Sequence, residues 1–214
     1  MKSTSKEIFS RNLYRVPLIA ILRGVTPETV LPVCQILAEG GIRMVEVTMN
    51  SPSALESIRL LTREYDPEDL LVGAGTVLSP AEVDAVADAG GQYIISPNTD
   101  VSVIRQTRMR ELISIPGFFT PTEAFSALQA GADYLKCFPA RSLGMKYFND
   151  LKAVVRAPLL AVGGIDLKNV SEWCRFADGV GIGSGLYKPG KDLDAIRNDA
   201  RQYVQTVARA EGSK

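Results

Sequence analysis

Short apolar runs alternate with amphipathic segments along the whole chain, at nearly regular spacing. Short runs bounded by glycine or proline predict strands, and longer stretches with apolar residues on a 3.6 period predict helices. Residues 4–14 predict a leading helix with Ile8, Phe9 and Leu13 on one face. After a strand over 17–22, Thr26-Pro27 places an N-cap before a first-turn proline and opens a helix that Gly40-Gly41 stops. A strand over 44–48 precedes a helix opened by Ser51-Pro52 and ending near Tyr65. Leu70 to Val72 then runs into Gly73-Ala74-Gly75-Thr76-Val77, with Ser79-Pro80 starting the next helix. Further on come a helix stop at Gly90-Gly91, a strand over 92–96, a helix near 99–109, and a strand over 112–115 ended by Pro116-Gly117. A helix from Thr120-Pro121 to Gly131 leads to a strand centred on Lys136, a polar loop over 140–144 and a helix near 145–155. The last elements are a strand over 159–162, a helix from Asp166 or Leu167 to Phe176, a strand over 179–182 and a helix near 192–210.

Eight strands alternating with eight helices in a chain of 214 residues predict an α/β fold, a single (β/α)8 TIM barrel with an N-terminal helix. A doubly wound open sheet, which usually has fewer strands, is the other candidate. With no linker or composition break, the expected organisation is one domain over 1–214. Residues 1–15 are the leading helix, 16–190 the barrel core and 191–214 the C-terminal helix and tail. In a barrel the polar and glycine-rich pieces that follow the strands gather at one end, where active sites are built.

Charge and composition narrow the chemistry. Lys plus Arg equals Asp plus Glu at 24 each, so no overall field attracts nucleic acid or a membrane, and a small-molecule partner is expected. Histidine is absent, which excludes Ser-His-Asp and Cys-His catalysis and argues against a typical zinc site. Cys34, Cys137 and Cys174 lack CxxC spacing and read as buried thiols of a cytosolic protein. The N-terminus is polar, and no apolar run approaches the ~18 residues of a membrane span. A cytoplasmic protein without an anchor is the expectation.

Two predicted strands carry a charge within an apolar run: Glu46 in Val45-Glu46-Val47-Thr48 and Lys136 in Tyr134-Leu135-Lys136-Cys137-Phe138-Pro139. Burial disfavours the charged form, so a buried lysine becomes in part a neutral amine able to attack a carbonyl carbon and form a Schiff base. A buried glutamate facing it would move the protons. A structural ion pair, or a lysine snorkelling from its strand end, fits the same residues. Arg23, just past the first strand, suits a carboxylate, or is a solvated loop arginine. Thr76 closes a glycine-rich turn as a ligand donor or as a helix cap, and Pro97 and Phe138 wall a pocket or simply pack. Gly163-Gly164 and Gly183-Ser184-Gly185 follow the seventh and eighth strands, where barrels commonly cradle phosphate on backbone amides.

In order and spacing, Leu18-Ile19-Ala20-Ile21-Leu22-Arg23-Gly24, Glu46-Val47-Thr48, Gly73-Ala74-Gly75-Thr76-Val77, Ser96-Pro97-Asn98, Leu135-Lys136-Cys137-Phe138-Pro139, Ala161-Val162-Gly163-Gly164 and Gly181-Ile182-Gly183-Ser184 resemble the class I aldolases acting on 2-keto-3-deoxy-6-phospho sugar acids. The resemblance spans roughly residues 17–190. It implies a homotrimeric barrel that splits a phosphorylated 2-keto-3-deoxy sugar acid into pyruvate and D-glyceraldehyde 3-phosphate, with no metal or organic cofactor. It also implies Lys136 as the Schiff-base lysine, Glu46 as acid/base, Arg23 and Thr76 at the carboxylate, and Gly163, Gly164 and Ser184 at the phosphate. Asn50 and Val162 stand where the gluconate-acting branch usually has arginine and threonine, so the chain resembles the galactonate-acting branch more closely. The gluconate epimer and 4-hydroxy-2-oxoglutarate are the alternative substrates, and a non-catalytic phosphosugar-binding barrel is the alternative of another class. Trp173 reads as core or subunit-interface material, and Ile196, Tyr203 and Val207 as the buried face of the last helix.

Overall fold

The computed structural model describes residues 3–211; Met1-Lys2 and the expected tail after Glu211 lie outside the described residues. Its strands are β1 (Leu18–Leu22), β2 (Met44–Thr48), β3 (Leu71–Gly75), β4 (Tyr93–Ile95), β5 (Ile113–Ile115), β6 (Gly117–Phe118), β7 (Leu135–Cys137), β8 (Leu159–Val162) and β9 (Gly179–Ile182). They form one sheet in the order β5-β4-β3-β2-β1-β9-β8-β7-β6, and every paired neighbour is parallel. The two outermost members, β5 and β6, are consecutive in the chain and separated only by Pro116. The sheet therefore curls into a nearly closed barrel, as the alternating pattern predicts.

Pro116-Gly117 was expected to end the fifth strand, and it interrupts it instead. Proline has no N–H for a ladder, but the Pro116 carbonyl still accepts from the Lys136 N–H at 2.9 Å. The chain then resumes as β6 and pairs with β7, placing Gly117 opposite Lys136.

The helices are α1 (Ser5–Arg15), α2 (Pro27–Glu39), α3 (Ala54–Glu64), α4 (Pro80–Asp88), α5 (Val101–Met109), α6 (Pro121–Ala130), α7 (Ala140–Lys152), α8 (Val170–Phe176) and α9 (Leu193–Glu211). Three start points differ from those expected. The segment 140–144 is not a loop, because helix begins at Ala140 and breaks at Gly144, where φ is 76°. α8 starts at Val170, since Asp166 to Asn169 close a turn through Asn169 N–H to the Asp166 carbonyl at 3.2 Å. α3 starts at Ala54, because the Ser51 hydroxyl bonds across to the β1 loop and does not cap the helix.

Alternate residues of each strand serve two cores. Leu18, Ala20, Leu22, Val45, Val47, Val72 and Ala74 pack outward against the helices. Ile19, Met44, Leu71, Tyr93, Ile95, Ile113, Ile115 and Leu160 fill the barrel interior together with Ile8, Phe9 and Leu13 of α1. Their contacts are with the first residues of strands, so α1 closes the amino end of the barrel. Phe9 meets the Tyr93 ring edge-on at 5.4 Å, and the space at Gly179 is taken by Leu13, whose Cδ1 would lie 2.4 Å from an added Cβ. A capping box of Thr4 and Glu7 starts α1. Trp173 is core, edge-on to Phe148 at 5.6 Å, and Ile196, Tyr203 and Val207 are buried as the periodicity predicts. Cys34, Cys137 and Cys174 are all buried, and among the described residues no helix is long and apolar enough to cross a membrane.

Candidate active site

β7 is three residues long, and its outer residues Leu135 and Cys137 belong to the helix-facing core. The pleat therefore turns Lys136 inward, where it is 5% exposed, with Nζ 4.8 Å from the centroid of the Phe138 ring. β2 repeats the arrangement: Val45 and Val47 face the helices, while Glu46 points into the barrel at 2% exposure. Space for its carboxylate comes from Gly75 on β3, where an added Cβ would sit 2.3 Å from Glu46 Oε1.

Burial governs the protonation of both groups. Loss of hydration pushes the Lys136 amine below its ordinary range; the Glu46 charge opposes that shift and the Arg23 charge reinforces it. The same loss raises the Glu46 carboxyl, against the pull of Lys136 and Arg23. Both directions favour a neutral amine beside a protonated acid. A nucleophile and a proton donor for dehydration chemistry need those two forms.

Both residues line one cavity of about 960 Å³ at the carboxyl end of the strands, shared with Arg23 and Phe138. Val162 at the end of β8, Gly163 and Gly164 after it, and Ser184 after β9 line the same cavity. Thr76 and Pro97 are outside that lining. Thr76 is half-buried directly after Gly75, and its φ of 57° is an outlier for a β-branched residue. Pro97 is half-buried, its carbonyl oxygen 2.3 Å from where a Cβ on Gly117 would lie.

The Arg23 loop is fastened to the β2 loop. Arg23 donates from Nη1 to Asn50 Oδ1 at 3.0 Å, and the Gly24 N–H donates to Ser51 Oγ at 2.8 Å. Ser51 is buried, shares a hydroxyl contact of 3.0 Å with Thr48, and donates to the Leu22 carbonyl at 3.4 Å. The clip fixes the backbone under a long, flexible side chain. Sequence reasoning passed over the role of Ser51, and it also missed Arg141, Lys188 and Asn169 as lining groups. The polar stretch after the Lys136 strand was the available signal for Arg141.

The chain matches the family model "KDPG and KHG aldolase" over residues 9–205. It is 39% identical over 199 residues to the 2-dehydro-3-deoxy-6-phosphogalactonate aldolase of Escherichia coli strain K12, covering 92% of this chain and 97% of that protein. It is 41% identical over 187 residues to a probable enzyme of the same name from Rhizobium meliloti strain 1021, covering 86% and 88%. Among solved structures, a native KDPGal structure superposes with a TM-score of 0.90 at 39% identity, over 92% of this chain and 97% of that one. The buried pair Lys136 and Glu46 stands in one barrel cavity, and these matches along nearly the full length establish that the chain belongs to the KDPG and KHG aldolase family.

Proposed function

We propose that this protein is a class I aldolase that cleaves 2-dehydro-3-deoxy-6-phosphogalactonate to pyruvate and D-glyceraldehyde 3-phosphate through an imine on Lys136. The observation that carries this reading is the pair Lys136 and Glu46, both buried and both shifted toward their neutral forms within one cavity. The Lys136 amine attacks C2 of the keto acid. Glu46 protonates the carbinolamine hydroxyl, water leaves, and a protonated imine remains. The Glu46 carboxylate then takes the C4 hydroxyl proton, the C3–C4 bond breaks, and its electron pair moves to C3 and onto the imine nitrogen. The aldehyde departs, and protonation at C3 and hydrolysis return pyruvate and the free lysine.

Arg23 meets the carboxylate of the substrate and Thr76, just beyond the cavity lining, supports that end, while Gly163, Gly164 and Ser184 hold the phosphate. Phe138 walls the cavity between them. The galactonate preference rests on the names of the two relatives and on two residues of the site. Asn50 carries Arg23 by a hydrogen bond, and Val162 in the cavity wall offers no donor to the discriminating hydroxyl. One missing hydrogen bond of this kind shifts specificity by about 1–3 kcal/mol, so the gluconate epimer is expected as a slower substrate. The protein acts as a one-domain cytoplasmic homotrimer, as the resemblance implies, and light scattering of the purified chain tests the trimer.

The test of the activity is borohydride reduction in the presence of pyruvate with peptide mass spectrometry, run beside cleavage of both epimers. A reduced pyruvyl adduct on Lys136 and faster turnover of the galactonate epimer are expected. Folded protein without an adduct would overturn the mechanism, and equal or reversed rates would overturn the epimer preference alone.

A further inference from the structure

The backbone amides of a glycine turn recognise an anion by shape, and they accept other oxygens of similar size. Discrimination of a phosphate dianion from a neutral hydroxyl calls for a cation placed beside the turn. From the geometry, we infer that Arg141 is that cation and sets the preference for a phosphorylated substrate. The inference deepens the proposed aldolase reading and rests on it.

Arg141 lines the same cavity as Gly163, Gly164 and Ser184. Its backbone N–H donates to the Gly163 carbonyl at 3.0 Å, which ties the first turn of α7 to the turn after β8. Its stem lies across the face of Gly164, where an added Cβ would be 2.5 Å from Arg141 Cβ and 2.7 Å from its Cδ. Glycine at 164 therefore leaves room for the arginine, whose stem is seated there while the residue as a whole is exposed. Among the ion pairs of the described residues, none involves Arg141. The acid on this rim, Asp166, accepts the Lys168 N–H at 2.8 Å within its own turn. Lys188 adds a second cation to the same lining. A chain with equal numbers of acids and bases overall thus concentrates unpaired positive charge at the end of the cavity where the glycine turns lie.

The experiment is aldol condensation of pyruvate with D-glyceraldehyde 3-phosphate and, separately, with D-glyceraldehyde, read as the ratio of the two kcat/KM values. Arg141→Gln keeps the stem over Gly164 and removes the charge, and it is expected to lower the ratio about tenfold, as loss of a charge-assisted contact would. Arg141→Lys keeps a point charge without the planar fork and should fall between. Lys146→Ala, an exposed change on the same helix outside the cavity, should match the parent. An unchanged ratio in Arg141→Gln overturns the inference, as does an equal fall in Lys146→Ala. A parent protein that condenses both aldehydes equally well overturns the phosphosugar reading itself, and a parent that forms no pyruvyl adduct overturns the aldolase reading. Should the glutamine variant not fold, Arg141→Met, which also keeps a stem over Gly164 and removes the charge, decides in its place, with the same fall in the ratio expected and an unchanged ratio overturning the inference.

Discussion

The two ends of the barrel solve opposite problems with the same strands. At the amino end, α1 inserts Ile8, Phe9 and Leu13 among Tyr93, Met44 and Leu71, and all six are buried. Each such side chain contributes about 1.5–3 kcal/mol by leaving water. The surface groove of about 510 Å³ at that end is lined by Leu13, Tyr14, Pro17 and Tyr134, and its charges, Arg15 and Asp178, are exposed. At the carboxyl end, the inward positions one or two steps further along the strands hold Glu46 and Lys136. The same burial that stabilises Phe9 works against a charged lysine. One end supplies the stability and the other uses part of it to bury a lysine and a glutamate.

The sharpest way to break this contrast is Lys136→Met. Turnover should fall on the order of 10⁴-fold or more, as for loss of a covalent nucleophile, while thermal unfolding should show stability equal to or above the parent. A large loss of stability would mean that Lys136 is a structural residue. The sign of the pH dependence sharpens the test. Because the folded-state amine titrates below 10.5, the unfolded chain binds more protons across that window, and the parent gains stability as pH rises through it. The advantage of Lys136→Met should therefore be greatest on the acid side and vanish toward pH 10.5. Glu46 has the opposite sign: its folded-state pKa is above 4.5, so its contribution declines as pH rises from there, and Glu46→Gln should flatten that decline.

Next in size, Glu46→Gln should slow cleavage by about 10²–10⁴-fold, the usual range for a general acid/base, and should slow formation of the trapped adduct. At the closed end the balance reverses. Phe9→Ala should cost about 3–5 kcal/mol in denaturant unfolding, with kcat of the folded fraction retained; loss of kcat at full folding would show that the two ends are coupled. The smallest effect is expected for Asn50→Ala, which frees Arg23 from its hydrogen bond. Losing one bond of about 0.5–1.5 kcal/mol raises KM for pyruvate condensation by roughly two- to tenfold, leaving kcat near the parent value.

Much of the framework was legible because local rules and the global fold agree. Proline-led helix starts at Pro27, Pro80 and Pro121 are where the helices begin, and the repeated strand–helix spacing predicted the barrel. Lys136 and Glu46 could be singled out because a charge inside an apolar strand is costly wherever the strand is buried. The less legible features depend on partners remote in sequence. Ser51 looked like a helix cap because nothing nearby announces Gly24 as its partner, and the use of Arg141 depends on Gly164. Pro116 was read as a stop because a proline usually is one, whereas here its carbonyl and the next two residues still serve the neighbouring strand.

The inner face of β9 has a consequence of its own. Val180 and Ile182 point to the helices, leaving Gly179 and Gly181 inward, with Gly183 just beyond. Leu13 occupies the room at Gly179 and Val162 presses on Gly181, but a methyl group at Gly183 would find its nearest neighbour, Ile21 Cβ, at 3.8 Å. Gly183 also lies in the cavity wall and outside the left-handed backbone region. An alanine at this one position would take up cavity space with a single methyl group without a clash. The bare wall thus leaves the size of the cavity open to adjustment at a single position.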